Sequence, residues 1–256
     1  YRLLGGTLRP IEAYAGGVCL GYQPPNSLVD EAQSLIDTGY KSIKIRIGDT
    51  PEIDMERIEA VRSRLGDSIT ILTDANTAYS ISDVRTIMPF LEYNNIGWLE
   101  EPFPPHDYRS YEIAHNFGSI PLAAGENHYT RFEFNRLIED RAVTILQPDL
   151  SKTGGVTEAL RIAALASSWK LQLHPHTSHT GISMAATIHF LASIDNAGYF
   201  EADASANNLF RDQLVSRPYT IGPESTVSPL DQPGIGVEVD EDFIKAHPII
   251  DGPAFI

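Results

Sequence analysis

The chain of 256 residues carries 34 acidic and 19 basic side chains, giving a net charge of −15, and it has a single cysteine. This acidic balance argues against binding to nucleic acid or to anionic membrane surfaces, because both require basic patches. One cysteine excludes an intrachain disulfide and a cysteine-based zinc site, while a hydrophobic fraction of 42% is enough for a substantial core. No apolar run approaches the length of a membrane span and no signal peptide is visible, so we expect a cytoplasmic protein.

Apolar runs alternate along the chain with longer segments of helical periodicity. Most of these runs are continuously apolar, as in strands that are buried on both faces. The strands are predicted at 11–15, 42–47, 69–74, 96–101, 120–126, 143–149, 171–176 and 199–203. The helices between them are predicted at 27–38, 52–65, 80–94, 107–117, 130–140, 155–169 and 180–195.

Short polar side chains mark the beginnings of several of these helices. Ser27, Ser80 and Thr130 stand where a side-chain hydroxyl could accept a hydrogen bond from the first helical turn. All three are therefore predicted to be N-caps.

The alternation of eight strands with seven helices predicts an α/β fold whose parallel sheet closes into a barrel. An open doubly wound sheet is the alternative, but it usually has fewer strands, and the chain has neither a GxGxxG after its first strand nor a Walker loop. The barrel is predicted to span 10–203. Residues 204–256 are rich in Pro and Gly, so we expect them to pack back across the barrel rather than to form a second globular domain.

Three acidic residues end three successive apolar runs, in ITILTDAN, IGWLEEP and IPLAAGEN. Asp74, Glu100 and Glu126 follow one another at intervals of 26 residues, which is enough for one strand, one helix and two short loops. They should therefore meet at one mouth of the barrel, where their repulsion requires a cation. Each one alone would more simply be a surface residue or a helix cap, but the equal spacing favours a metal site, and oxygen ligands favour Mg²⁺ over zinc. Asn76 and Asn127 follow two of the acids and could add polar contacts.

Two cations stand on the second predicted strand, in SIKIRIG. Lys44 and Arg46 are two residues apart, so they share one face of the strand and should point into the mouth of the barrel. A pair of solvated charges at a strand end is the alternative. Lys44 could neutralise a substrate carboxylate or transfer a proton, whereas Arg46 can bind a carboxylate but is a poor proton carrier.

An aspartate and a histidine end the sixth and seventh predicted strands. Asp149 and His176 could lie within hydrogen-bonding distance, in which case Asp149 would fix the tautomer of the imidazole and raise its basicity. A satisfied structural histidine is the alternative, and the nearby His174 and His179 leave the choice of histidine open. Glu201, in YFEAD, ends the eighth strand and could instead be a salt-bridged or capping carboxylate.

The segments TDAN, WLEEP, GEN, QPDLSKTGG, PHT and FEAD, in this order, resemble the mandelate racemase subgroup of the enolase superfamily. The resemblance covers roughly 1–245 and implies a (β/α)7β modified TIM barrel. It also implies one Mg²⁺ per subunit, held by Asp74, Glu100 and Glu126, with Glu101 as a neighbour of the ligands. A small-molecule carboxylate as the partner and a homo-oligomeric assembly are further implications.

The same resemblance assigns roles to the remaining polar residues. Asp149 and His176 match the Asp–His pair of the family, and Glu201 matches the acid that hydrogen-bonds the substrate carboxylate. The family commonly has Lys-x-Lys on the second strand, and Arg46 stands in place of the second Lys. The family also carries an amino-terminal α+β capping domain, which we expect this chain to lack, with 1–9 as the linker that follows it.

These features together predict a lyase that dehydrates an acid sugar, an aldonate or aldarate, through removal of the proton α to the carboxylate and an ene-diolate. Arg46 argues against a racemase with two opposed bases. A racemase or epimerase of a 2-hydroxy or amino acid remains the enzymatic alternative, and a barrel that binds ligand without turnover is the alternative outside enzymes.

Overall fold

Eight parallel strands form a ring in the computed structural model, which describes residues 1–177 and 179–250. The strands are β1 (Ile11–Gly16), β2 (Ser42–Arg46), β3 (Thr70–Asp74), β4 (Ile96–Glu100), β5 (Leu122–Ala124), β6 (Ile145–Leu146), β7 (Gln172–Leu173) and β8 (Phe200–Asp203). Neighbouring strands pair in the order β7-β6-β5-β4-β3-β2-β1-β8. Hydrogen bonds from Leu173 N to Asn196 O (2.9 Å) and from Gly198 N to Leu173 O (2.7 Å) join β7 to the residues just before β8 and close the ring.

One helix occupies each connection between consecutive strands, and the apolar faces of these helices pack on the strands in one continuous core. The predicted α/β class and (β/α)7β barrel are therefore confirmed. Every helix in the described part of the chain is too short or too polar to cross a lipid bilayer. The helices are α1 (Pro25–Asp37), α2 (Pro51–Leu65), α3 (Ile81–Tyr93), α4 (Tyr108–Ala114), α5 (Thr130–Asp140), α6 (Gly155–Ser168) and α7 (Gly181–Leu191).

Aromatic rings fill the inside of the ring of strands. Trp98 lies edge-on to Tyr14 and to His174, with ring centroids 5.6 and 5.2 Å apart. Tyr199 completes the cluster, with its ring centroid 6.1 Å from that of Tyr14. The interior is thus a packed core rather than a channel, which confines ligands to the ends of the barrel.

The sixth and seventh strands are shorter than predicted. β6 and β7 contain two residues each, whereas the apolar runs predict strands at 143–149 and 171–176. Pro148 and Pro175 interrupt these runs, and a proline has no N–H to donate to a neighbouring strand. The polar residues that follow each proline therefore lie on loops.

Only one of the three predicted N-caps is confirmed. Ser80 caps α3, because its hydroxyl accepts from the N–H of Asp83 (3.3 Å) while the Asp83 carboxylate accepts from the N–H of Ser80 (2.8 Å). Ser27 is wrong as a cap, since α1 begins two residues earlier with a proline in its first turn. Thr130 is also wrong, because it is the first residue of α5 and Tyr129 holds the N-cap position.

Replacing Ser80 with Ala is expected to lower the free energy of unfolding by about 1 kcal/mol. The hydroxyl of Ser80 accepts from the N–H of Asp83 and donates to the carboxylate of Asp83, and both hydrogen bonds are lost. Ser27→Ala is the matched control, since Ser27 is exposed within a helix and makes no cap. Urea denaturation of both variants tests the expectation, and equal losses in the two would contradict it.

The carboxyl-terminal segment adds small elements to the outside of the barrel. They are α8 (Leu209–Asp212), β9 (Thr226–Val227) and α9 (Glu241–Ala246), with a single 3₁₀ turn at Pro223–Ser225. Another 3₁₀ turn, at Arg2–Leu4, precedes β1. β9 pairs antiparallel with β1, Val227 opposite Ile11. This pairing fixes the segment to the barrel on the strand where the ring begins.

Candidate active site

A cleft of about 820 Å³ opens at the carboxyl ends of the strands. Strand register brings charged residues to the same level there, because Arg46 pairs with Asp74 and Asp74 pairs with Glu100 across β2, β3 and β4. Glu126 follows β5 and reaches the cleft from the next position around the ring. The predicted convergence of the three acids is thus a property of the parallel register.

Asp74, Glu100 and Glu126 form the acidic group of the site. Each of their carboxylates offers an oxygen within 4.8 Å of the others. Asp74 and Glu100 are buried, and the Glu126 side chain is 14% exposed. Burial raises the pKa of Glu100 to about 8, and the nearby Asp74 carboxylate adds to this effect against the opposing charge of Lys44. Three crowded, dehydrated carboxylates fit a hard divalent cation, which would offset their repulsion.

Lys44 lies beneath the three carboxylates rather than in the cleft. Its ammonium is 2.7 Å from Oε1 of Glu100, 2.9 Å from Oε1 of Glu201 and 3.4 Å from Oδ2 of Asp74. Burial opposes its charge, but Glu100 and Glu201 outweigh burial and hold the pKa of Lys44 well above its ordinary value. Lys44 is therefore a permanent counter-ion of the acidic group.

Arg46 lines the cleft on the β2 side, beside Asp74. Its Nε and Nη2 donate to the carbonyl oxygen of Gly17 at 3.2 and 2.9 Å, and its Nη1 donates to Oδ1 of Asn76. Nη1 also lies 3.7 Å from Oδ2 of Asp74. Asn76 in turn donates its backbone N–H to Asp74 (2.9 Å), so it links the guanidinium to one of the three carboxylates.

His176 is hydrogen-bonded to Asp149, with 2.7 Å between Nδ1 and Oδ2. The second oxygen of Asp149 accepts from the N–H and the hydroxyl of Ser151 at 2.7 and 2.5 Å, which fixes the carboxylate. Nδ1 must carry a proton for Asp149 to accept it, so Nε2 is the nitrogen that gains or loses the titrating proton, and it lies 3.3 Å from Oε2 of Glu126. Burial opposes protonation, but the carboxylates of Glu126, Glu201 and Asp149 raise the pKa of His176 to about 9.

The two other candidate histidines, His174 and His179, have different surroundings. His174 lies in the barrel interior, where its Nδ1 accepts from the N–H of Tyr199 (3.0 Å) and burial lowers its pKa to about 4. His179 is exposed on the loop before α7 and lines the cleft. Of the three, His176 is the one that the structure pairs with Asp149.

Binding of Mg²⁺ by the acidic group is expected to lower the pKa of His176 from about 9, because a cation beside Glu126 disfavours the imidazolium. NMR titration of the ring C–H signals with and without Mg²⁺ measures this shift, with the signal assigned by its loss in His176→Asn. A pKa that does not respond to saturating Mg²⁺ would contradict a metal site at Glu126.

Glu201 and Glu101 are two further buried carboxylates near the acidic group. Glu201 contacts Lys44 through Oε1 and accepts from the N–H of Thr177 through Oε2 at 3.1 Å. Burial acts to raise its pKa, but Lys44 and His176 hold that pKa below the ordinary value. Burial raises the pKa of Glu101 to about 7; one of its oxygens accepts from Asn127 (2.8 Å), and the other has no hydrogen-bond partner among the described residues.

Sequence reasoning missed three contacts of the acidic group. Gln147 and Trp98 donate to Oε2 of Glu100 at 2.7 and 3.1 Å, and the Lys152 ammonium lies 3.3 Å from Oε1 of Glu126. Trp98 could have been found, because it stands two residues before Glu100 on the same face of a strand. Gln147 and Lys152 belong to the QPDLSKTGG segment, but their contacts depend on the loop that follows β6.

The ring of strands and its acidic mouth are those of a parallel α/β barrel with a site at the carboxyl ends of its strands. Residues 27–243 match the family model described as enolase C-terminal domain-like, so the chain belongs to this family.

Individual relatives cover nearly the whole chain. An arabinonate dehydratase of Saccharolobus solfataricus is 34% identical over 251 residues, which are 96% of this chain and 66% of that protein. A solved enolase superfamily member from Polaromonas sp. JS666 is 52% identical with a TM-score of 0.97, over 100% of this chain and 68% of that one. A racemase from Streptomyces coelicolor A3(2), solved with bound magnesium, is 28% identical with a TM-score of 0.86, over 96% of this chain and 65% of that one. The chain thus spans about two thirds of the length of each relative.

Proposed function

We propose that the protein is a Mg²⁺-dependent lyase that removes water from an aldonate or aldarate and yields a 2-keto-3-deoxy acid. One observation carries this proposal: His176, fixed by Asp149 at 2.7 Å, presents Nε2 beside the three clustered carboxylates. One such base can remove a proton and later return it. The name of the arabinonate dehydratase relative supports the same reaction class.

The three carboxylates of Asp74, Glu100 and Glu126 would hold the Mg²⁺. When bound, the ion supplies Lewis-acid stabilisation of negative charge on the substrate carboxylate. The magnesium in the Streptomyces racemase supports this choice of metal. Lys44, buried against Asp74, Glu100 and Glu201, keeps the total charge of the site low enough for an anionic substrate to approach.

His176 would take the proton from the carbon next to the substrate carboxylate. Asp149 accepts from the opposite ring nitrogen and stabilises the imidazolium that forms. The C–O bond at the next carbon then breaks, and His176 returns its proton to the departing oxygen, which leaves as water. The remaining enol becomes the 2-keto-3-deoxy acid, and His176 is again neutral.

Arg46 favours dehydration over epimerisation. A racemase that acts on both faces of the α carbon needs a second base across from His176, where β2 contributes Arg46. An arginine side chain stays protonated throughout the range in which enzymes work, so it is a poor base. Three of its five N–H donors are also engaged by Gly17 and Asn76.

Incubation of the intact natural protein with Mg²⁺ and a panel of aldonic and aldaric acids in D₂O tests the proposal. Dehydration of at least one acid is expected, and the 2-keto acid that forms can be detected as its semicarbazone. Deuterium at the α carbon without any keto acid would instead indicate an epimerase, and this result would overturn the proposal.

A further inference from the structure

Lys152 has no role in the mechanism above, although it lies in the same cleft as His176. Its ammonium is 3.3 Å from Oε1 of Glu126, while Nε2 of His176 is 3.3 Å from Oε2 of the same carboxylate. The two groups therefore flank a single carboxylate and face the same part of the cleft. A ligand that fills the cleft beside Glu126 can therefore contact both groups.

The loop after β6 places Lys152 and Asp149 together. The N–H groups of Lys152 and Thr153 donate to the carbonyl oxygen of Asp149 at 3.1 and 2.8 Å, which forms a tight turn. Gly154 and Gly155 follow with φ of 119° and 80°, values that favour glycine, and α6 begins there. The same turn therefore positions both Asp149, the partner of His176, and the ammonium of Lys152.

Lys152 also has donors to spare and is held by one carboxylate alone. Lys44 is buried against three carboxylates and does not line the cleft, while three of the five N–H donors of Arg46 are engaged by Gly17 and Asn76. The Lys152 side chain is 28% exposed, and Glu126 is its one hydrogen-bond partner among the described residues. An ammonium has three N–H donors, so two are available to a ligand in the cleft.

We propose that Lys152 binds the departing β-oxygen of the substrate, and that it is required for cleavage of the C–O bond but not for removal of the α proton. This inference rests on the dehydratase function proposed above. The proton from C2 goes to Nε2 of His176, the electron pair of the C3–O bond leaves with the oxygen, and His176 supplies the proton that completes water. Lys152 keeps its own protons throughout and offsets the negative charge that develops on the oxygen.

Replacing Lys152 with Gln is expected to reduce keto-acid formation roughly 10²-fold, the usual effect of removing one donor from a developing oxyanion. Exchange of the α proton with D₂O should continue at close to the wild-type rate, so the ratio of exchange to elimination rises by the same factor. Lys152→Arg, which keeps a cation, should recover part of the elimination. Lys170→Gln, at an exposed position after α6, is the matched control and should leave both rates unchanged.

Calorimetric titration with Mg²⁺ separates this role from an effect on the metal site, because Lys152 contacts Glu126. We expect Lys152→Gln to bind Mg²⁺ at least as well as the wild type, since a neighbouring cation has been removed. Equal loss of exchange and elimination together with weaker Mg²⁺ binding would overturn the inference, as would unchanged elimination. A wild-type protein that forms no keto acid would instead overturn the proposed function itself.

Discussion

Replacing His176 with Asn is expected to reduce dehydration roughly 10²–10⁴-fold, the usual contribution of a positioned general base. The Asn amide can still donate to Asp149, so the loop after β7 keeps its anchor, but an amide cannot accept the α proton. Exchange of the α proton with D₂O should fall by the same factor. This joint loss distinguishes His176 from Lys152, whose removal should spare the exchange.

His115→Asn is the matched control for this experiment, because His115 is exposed at the end of α4 and is not among the residues that line the cleft. Its dehydration rate should stay close to that of the wild type. Steady-state assays of both variants, with far-UV circular dichroism to verify folding, are sufficient. Undiminished dehydration by His176→Asn would remove the histidine from the mechanism.

The barrel and its acidic mouth could be predicted from sequence because both depend on simple periodicities. Alternating strand and helix patterns specify the order of the elements, and parallel register carries every strand end to the same mouth. Asp74 and Glu100 are direct register partners, so equal spacing in sequence became proximity in space. The predicted pair of Asp149 and His176 followed from the same principle, although both lie on loops rather than strands.

Contacts that depend on loop geometry could not be predicted in this way. Lys152 reaches Glu126 only because the turn after Asp149 reverses the chain, and hydrophobic periodicity contains no information about that turn. The depth at which Lys44 lies in the barrel could not be predicted either. The strand pattern specifies which face of β2 it shares with Arg46, but not that it lies beneath the acids while Arg46 lines the cleft. Depth depends on residues from other strands, which one strand cannot reveal.

Replacing Glu100 with Gln is expected to abolish the stabilisation of the protein by Mg²⁺. In the wild type, Mg²⁺ at 100 times its dissociation constant should raise the free energy of unfolding by about 2.7 kcal/mol, or Tm by roughly 5–10 °C. Glu100 is fully buried, and a neutral amide in its place removes the negative charge and leaves only a weaker oxygen ligand. Thermal denaturation with and without Mg²⁺ measures the difference.

The same variant should behave differently when Mg²⁺ is removed with a chelator. The folded protein raises the pKa of Glu100 from 4.5 to about 8, so between these values the folded state holds a proton that the unfolded state has lost. The contribution of Glu100 to stability therefore falls as pH rises from about 4.5 to about 8. Gln has no proton to lose, so Glu100→Gln should show a flatter dependence of stability on pH across this window.

Glu224→Gln is the matched control, because Glu224 is an exposed carboxylate whose surface ion pair with Lys41 should contribute little to stability. It should retain the full increase in Tm with Mg²⁺ and the wild-type dependence on pH. An equal response of the Glu100 and Glu224 variants to Mg²⁺ would show that the ion binds elsewhere. If the stability of the wild type without Mg²⁺ does not depend on pH in this window, ionisation of Glu100 costs no folding free energy. Crowding of the three acids would then not be the reason that the site requires a cation.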